Sequence, residues 1–432
     1  MMQLKINNVA KIKEATINID GITVIAGENN TGKSTIGKLL FAIYSSMNNM
    51  EQKIQQERNN EIDQILNLLL QNYAMQSGIS QVEYRRRYSI FSRKFIERVI
   101  EFIQSENDGE VNVEDYVKNT VTDLEAFIAP EDFDDFISEC TLKLKTIINI
   151  SDKKVMTEVV TRWFNKVFEN QISPLFEEEM KSEINLNIKN KKLDLYFKEN
   201  VCTDWDSEFN ILHQAFYIDN SFVVDYMSDR YIRSHMKTTD AHLLRHLCKE
   251  EDILNGIFDT VLVKDKLDEI YNMLGELLGG EIIENQDGEY CLKSNEYSKP
   301  INLKNLSTGL KSFALVKRLL ENGSLKEKDV LILDEPEIHL HPEWQLAYAK
   351  LIVLLQKEFD LTMIITTHSP YFLDAIDVFS AEYEMADRVN YYLAENEGAV
   401  SYLHDVTNHI DAIYKKLSDP MQRLENIRYG ST

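Results

Sequence analysis

The run GITVIAGENNTGKSTIGKLLFAIY, residues 21–44, constrains the fold more tightly than any other part of this chain. Ile22 to Ala26 is a short, β-branched apolar stretch of the kind that forms a buried strand, and from Lys33 onward the spacing turns helical. Between them Gly27, Glu28, Asn29, Asn30, Thr31, Gly32, Lys33 and Ser34 satisfy G-x4-G-K-[ST], and Thr35 follows. Strand, loop and helix in that order are what a phosphate cradle needs. Glycines let backbone N–H groups curl around anionic oxygens, and the helix N-terminus adds partial positive charge. Lys33 can then reach the β- and γ-phosphates, and Ser34 can ligate Mg²⁺.

Two later runs, VLILDEP (330–336) and LTMIITTHS (361–369), are continuously apolar and end in polar residues, as buried parallel strands do. In P-loop proteins an acid at the tip of such a strand holds Mg²⁺, here Asp334. The adjacent carboxylate, Glu335, can orient or deprotonate an attacking water. His368 ends the second run at the carboxyl edge of the sheet, where nucleotides bind, so its functional reading is a γ-phosphate contact and its alternative a structural imidazole. LSTGLKS (306–312) begins a helix with Ser307 as N-cap and Gly309 in the first turn. Alone that is a good helix start. Placed upstream of VLILDEP, it is also a second anion-binding device, useful if it faces the nucleotide of another copy.

Elsewhere the pattern predicts a hairpin over Met2 to Ile19, a helix over Val261 to Leu278, a hairpin turning at Asp287-Gly288, a helix over Ser307 to Asn322, a hairpin over Asn390 to Asp405, and a helix from Asp411 to Ile427. Between Gly109 and Gly256 there is no glycine, and only Pro130 and Pro174 interrupt the interval. Long helices with few tight turns are the economical reading. No heptad persists, so the stretch reads as a globular helical insertion, not a coiled-coil arm. Within it Gln214 to Tyr226 is β-like and is predicted to return to the core sheet. The expected organisation is an α/β head carrying the P-loop over 1–50, a mainly helical insertion over 51–260, and the rest of the head over 261–432.

With 47 basic and 71 acidic residues the formal net charge is −24, which argues against coating nucleic acid or anionic membrane through net charge. A nucleic-acid contact would need a local patch. Arg85, Arg86 and Arg87, with Arg93 and Lys94 nearby and Tyr84, Tyr88 and Phe91 interleaved, form one, against the alternative of a solvated helix face. The four cysteines lack C-x-x-C spacing. His242 and His246 share a helical face as metal ligation requires, but no third ligand accompanies them. No signal-peptide core or long uninterrupted apolar run occurs, so no membrane contact and a cytoplasmic location are expected.

GENNTGKST, LSTGLKS, LILDEPEIHLHP and TTHSP, in this order, resemble the P-loop, signature, Walker B with D-loop, and switch-histidine motifs of ABC-type ATPase heads of the RecF/SMC-like branch. Within that branch they look like the overcoming-lysogenisation-defect (OLD) and Septu-type AAA ATPases of bacterial anti-phage defence. The resemblance covers the regions around 1–50 and 280–405. It implies an ABC-type P-loop head with a mixed sheet, using ATP and Mg²⁺. Lys33 would bind the β- and γ-phosphates, Ser34 and Asp334 would hold Mg²⁺, Glu335 would be the catalytic base, and His368 would sense the γ-phosphate. Ser307 and Gly309 would reach the nucleotide of a second protomer, with His339 near the seam and Lys311 either adding charge there or lying solvated. ATP would thus join a homodimer. The glutamine loop of such heads has no diagnostic match: Gln52, Gln171 and Gln214 stay open, and YIDNS near Asp219 occupies a plausible equivalent position. The stretch after His368 is too short for the TOPRIM-type nuclease that some relatives append, so a separate effector protein such as a nuclease is the expected partner. Two alternatives stand beside this reading: a RecF-like DNA-binding repair or clamping ATPase, and a nucleotide-gated scaffold with slow turnover.

Overall fold

The computed structural model describes residues 2–76, 78–105, 127–128, 132–177, 180–229, 235–249, 257–294 and 296–429. They form two compact units, one of Met1–Asn48 with Val160–Thr432 and one of Asn49–Val159.

The first unit is built on an eleven-stranded sheet. The hairpin β1 (Met2–Val9) and β2 (Ile12–Ile19) leads into β3 (Ile22–Gly27), which is buried at every position. β3 runs parallel to two later strands, β12 (Thr362–Thr367) and β13 (Val389–Glu397). β11 (Val330–Asp334) is parallel to β12 and to β7 (Ala215–Ile218). Neighbours on both sides and helices on both faces leave β3 no exposed position, which is why its sequence is an unbroken apolar run. β14 (Val400–Asp405) closes the hairpin with β13 and pairs in parallel with β2. Helix α1 (Lys33–Met47) lies so close on this sheet that a Cβ on Gly37 would approach Ile332 Cγ2 to 2.7 Å.

The sheet continues through a meander absent from the sequence expectation. β4 (Ser182–Ile188), β5 (Lys191–Lys198) and β6 (Val201–Ser207) are antiparallel, and β4 pairs with β1 from Met2↔Ile188 to Asn7↔Glu183. Ile184, Leu186, Leu193, Leu195 and Phe197 alternate inward and are buried.

The second unit is helical. α2 (Met50–Gln76), α3 (Gln81–Ser105) and α4 (Phe133–Ile148) pack around Ile62, Leu66, Leu69, Leu70, Phe95, Phe136 and Leu144. Residues 62, 66, 69 and 70 fall on one stripe of α2, as the 3.6-residue period requires. α5 (Asp152–Phe168) begins in this unit and ends in the first. The compact helical unit is therefore shorter than the expected 51–260. Residues 182–218 carry strands of the head sheet. Of the β-like stretch Gln214 to Tyr226, only Ala215–Ile218 is strand, and Ser221–Tyr226 is a 3₁₀ turn capped by Asn220.

The remaining helices of the first unit are α6 (Thr238–Leu247), α7 (Ile257–Leu278), α8 (Thr308–Glu321), α9 (Pro342–Phe359), α10 (Pro370–Glu382) and α11 (Asp411–Tyr429). A small sheet, β8 (Gly280–Glu284), β9 (Tyr290–Ser294) and β10 (Ile301–Asn302), precedes α8. Among the described residues no helix is long and apolar enough to cross a membrane.

Candidate functional site

Parallel pairing brings the carboxyl ends of β3, β12, β11 and β7 to one edge, and the expected functional residues converge there. The turn after β3 depends on its glycines. Gly27 has φ 153°, and a Cβ on it would meet the Ala394 carbonyl oxygen at 2.4 Å. Gly32, with φ 82°, stands at the start of α1 with no side chain capping the helix. The first-turn N–H groups of α1 therefore remain donors, and they carry the positive end of the helix dipole. Glu28, Asn29 and Asn30 are exposed, Thr31 is buried with its hydroxyl donating to the Glu28 carbonyl at 2.8 Å, and Thr35 is half-buried on α1. Lys11, in the β1–β2 turn, donates to the Asn30 carbonyl at 2.8 Å.

Lys33 is 4% exposed. Its Nζ donates to the carbonyls of Gly27 at 3.0 Å and Glu28 at 2.8 Å and lies 3.7 Å from Glu335 Oε1. Burial lowers its pKa, while the carboxylates of Glu335 and Asp334 oppose that shift. The Ser34 hydroxyl donates to Asp334 Oδ1 at 3.0 Å. Asp334 also accepts the hydroxyls of Thr366 and Tyr217. Burial and the Asp334 carboxylate hold the Tyr217 phenol well above its ordinary pKa, fixing it as a donor. Three hydroxyls on one carboxylate keep its oxygens aimed at the P-loop. The hydroxyl of Ser34 beside the carboxylate of Asp334 is a hard-oxygen donor set that fits Mg²⁺.

Glu335 has left-handed backbone, φ 52°, which costs a non-glycine residue about 1–2 kcal/mol. Its N–H is held by the carbonyl of Thr366 at 3.1 Å and the hydroxyl of Thr366 at 3.0 Å. This twist, at the end of β11, sets its carboxylate between Lys33 and His368, whose Nδ1 is 3.6 Å from Glu335 Oε1. His368 is exposed at 42% of its side chain. Glu337, two residues further on, is buried. Burial pushes its carboxyl above the usual carboxylate range, and hydrogen bonds from the Thr367 hydroxyl and the His368 N–H pull it back. On the far side of the loop Lys416 of α11 stands 3.8 Å from Glu28 and 3.3 Å from Glu395.

The signature segment is arranged differently from the nucleotide edge. Ser307 is exposed, and its Oγ accepts from Leu310 N at 3.4 Å, the expected N-cap. Gly309 is buried: a Cβ there would meet Trp344 Cε3 at 2.6 Å. Lys311 is neither solvated nor a surface charge. Only 3% exposed, it pairs with Asp225 at 2.7 Å, donates to the Lys304 carbonyl at 3.0 Å, and lies over the Phe222 ring. His339 is exposed, with its ring 6.1 Å from that of Phe222.

Residues of three further sequence candidates have packing or hydrogen-bonding partners of their own, while Arg85, Arg86 and Arg93 are exposed. Tyr84, Tyr88 and Phe91 turn into the second unit, where Tyr84 and Tyr88 hydroxyls bond Asn67 and Asp63, so the aromatics offer no stacking platform between the arginines. Arg87 pairs with Glu83 along α3. The side chain of Lys94 lies outside the described residues. His242 and His246 pack on Phe41 and Phe216 at ring distances of 5.3 and 5.0 Å, burial pushes His246 down to about 4, and among the described residues no cluster of three or more His, Cys, Asp or Glu side chains forms around them or elsewhere. Gln214 stands at the amino end of β7, its carbonyl accepting from Val330 N. The carboxyl end of β7 belongs to Asp219, paired with Lys237 at 3.6 Å.

Tyr217, Thr366, Thr367 and Glu337 are the site residues that motif reading missed. The two threonines directly precede His368 and Glu337 follows Pro336, so proximity to the motifs was the available signal.

Residues 1–373 match the family described as an AAA ATPase domain. Among solved structures the chain is similar to an SMC head domain from Thermotoga maritima, at 11% identity and a TM-score of 0.40, over 94% of this chain and 98% of that one. It is also similar to an Smc head domain with an extended coiled coil, bound to the C-terminal domain of ScpA, from Pyrococcus furiosus. That match has 12% identity and a TM-score of 0.40, over 99% of this chain and 100% of that one.

Proposed function

The chain belongs to the AAA ATPase domain family, and from that premise we propose that it binds ATP with Mg²⁺, hydrolyses it to ADP and phosphate, and closes as a homodimer on two composite sites. The observation that carries the reading is the meeting of Lys33, Ser34, Asp334, Glu335 and His368 at one sheet edge, with Glu335 3.7 Å from Lys33 and 3.6 Å from His368.

The α1 N-terminus and Lys33 bind the phosphates. Mg²⁺, held by Ser34 and Asp334, supplies charge neutralisation at the phosphate oxygens when bound. Glu335 accepts a proton from the attacking water as the water oxygen bonds to the γ-phosphorus and the bond to the ADP oxygen breaks. His368 contacts the γ-phosphate. Its half-exposed position beside the base suits a residue that reports whether that phosphate is present.

The finer reading is that nucleotide state is relayed to a separate effector, a nuclease being the leading class, in anti-phage defence. The OLD- and Septu-like order of GENNTGKST, LSTGLKS, LILDEPEIHLHP and TTHSP supports it, as does a discrete helical unit, Asn49–Val159, inserted into the head. Co-purification of a neighbour-encoded protein with the full chain tests that relay.

The hydrolytic reading is tested by phosphate release. Glu335→Gln is expected to retain ATP binding while turnover falls by about 10²-fold or more, the ordinary contribution of a general base. Equal rates for wild type and Glu335→Gln would transfer the chain to the scaffold reading.

A further inference from the structure

Glu337 has no role in the reading above, yet it is the acid that hydrogen-bonds the His368 peptide. Its side chain is 2% exposed. Its Oε1 accepts the Thr367 hydroxyl and, at 3.1 Å, the His368 backbone N–H, and stands 3.8 Å from His368 Nδ1. Its Oε2 is buried with no hydrogen-bond partner. The brace extends beyond the histidine. Ser369 N–H donates to Thr367 Oγ1 at 3.0 Å, Ser369 Oγ donates to Gln345 Oε1 at 3.0 Å, and Gln345 Nε2 donates to the Leu340 carbonyl at 3.1 Å. Glu337 and Gln345 thus grip both sides of the turn that carries His368.

Packing alone does not explain an acid here. Both donors land on Oε1, so a neutral amide would satisfy them equally while avoiding the desolvation of a buried charge. What a carboxylate adds over an amide is negative charge, 3.8 Å from Nδ1. Negative charge on one side of an imidazole favours the proton on the nearer nitrogen and leaves the opposite nitrogen for the ligand, the same logic by which carboxylates orient metal-binding histidines. With Nδ1 turned toward Glu335 and Glu337, Nε2 on the far side of the ring is the nitrogen left for a phosphate oxygen.

We propose that Glu337 is a positioning residue for ATP hydrolysis, holding the His368 peptide and imidazole so that Nε2 addresses the γ-phosphate. This rests on the γ-phosphate role of His368 given above.

The test is a mutant cycle on the full chain, reading ATP affinity, KM and kcat for wild type, Glu337→Gln, His368→Ala and the double variant. Glu337→Gln keeps the accepting oxygen and removes the charge. Its kcat is expected to fall about 10-fold or more, the usual loss when a histidine's supporting carboxylate is removed, with Kd for ATP unchanged. The double variant should be no slower than His368→Ala. A wild-type kcat in Glu337→Gln, or a loss that persists in full in the His368→Ala background, overturns the proposal while leaving the ATPase reading intact. Wild-type turnover in His368→Ala removes the γ-phosphate role and this proposal with it. Should Glu337→Gln fail to fold, Thr367→Val loosens the same brace from the other side, and the same non-additivity with His368→Ala is expected; additivity there overturns the proposal equally.

Discussion

At Gly309 two explanations of one residue meet. The signature resemblance assigns it to a partner's nucleotide, but the side chain it lacks would fall 2.6 Å from Trp344 Cε3 and 3.2 Å from Leu340 Cδ2. Steric exclusion inside the protomer is therefore sufficient to require glycine. Gly309→Ala is expected to destabilise the fold by about 1–3 kcal/mol, the usual cost of overpacking, with a lowered thermal midpoint as the readout. Trp344→Leu should relieve most of that penalty. If Gly309→Ala melts like wild type, the contact with Trp344 is not what fixes the residue. Lys33, Ser34, Asp334, Glu335 and His368 were readable because each sits in a motif whose order dictates its place. Tyr217 was not, since its hydroxyl reaches Asp334 only through the pairing of β7 with β11, a contact between residues 117 positions apart.

Elements were legible where their hydrophobic period was unambiguous. β3, β11 and β12 are unbroken apolar runs and α1 follows a P-loop, so strand and helix could be assigned before their partners were known. The β4–β5–β6 meander is hidden in the sequence because a stretch without glycine gives no outward sign of tight turns. Its two turns instead use Lys189-Asn190, at φ 50° and 66°, and Glu199-Asn200, at φ 52° and 65°. Asparagine tolerates the left-handed region, and two positive φ values in succession are what a two-residue hairpin needs.

Helix α6 ties the stability of the fold to pH. His246 packs against Phe216, and its folded pKa is pushed to about 4 by burial, with Arg245 and Lys249 adding to it. The unfolded chain, near the ordinary value, takes up a proton first. The stability this residue confers is therefore present above pH 6.5 and lost as pH falls toward 4. Asp240 on the same helix is raised to about 6 by burial and Asp219, and works in the opposite sense, favouring the fold on the acid side. Removing the imidazole isolates its share. His246→Phe should gain about 1 kcal/mol relative to wild type at pH 5.5 compared with pH 8, measured by denaturant unfolding. Parallel pH profiles for the two proteins would contradict the assigned shift.

For the whole molecule, charge and local surface pull in opposite directions. A net charge of −24 makes two copies repel, and the repulsion weakens as salt shortens the screening length. Yet the face carrying exposed Ser307 and His339 also exposes Phe222 at 38% and Ile338 at 52%, and Tyr371, three residues after His368, is 69% exposed. Apolar side chains left uncovered beside a helix N-terminus suit an interface that forms only when a bound anion is supplied from across it. Glu335→Gln, which should keep its ATP, is expected to double in native mass when ATP and Mg²⁺ are added, and to do so more completely at higher salt. Adding Ser307→Arg to Glu335→Gln should abolish the doubling and leave ATP affinity in place, because the α1 cradle belongs to the other copy. An ATP-bound monomer at every salt concentration would make each head a self-contained enzyme. Ser307 would then be an N-cap and nothing more, and any relay to an effector would have to run through one protomer alone.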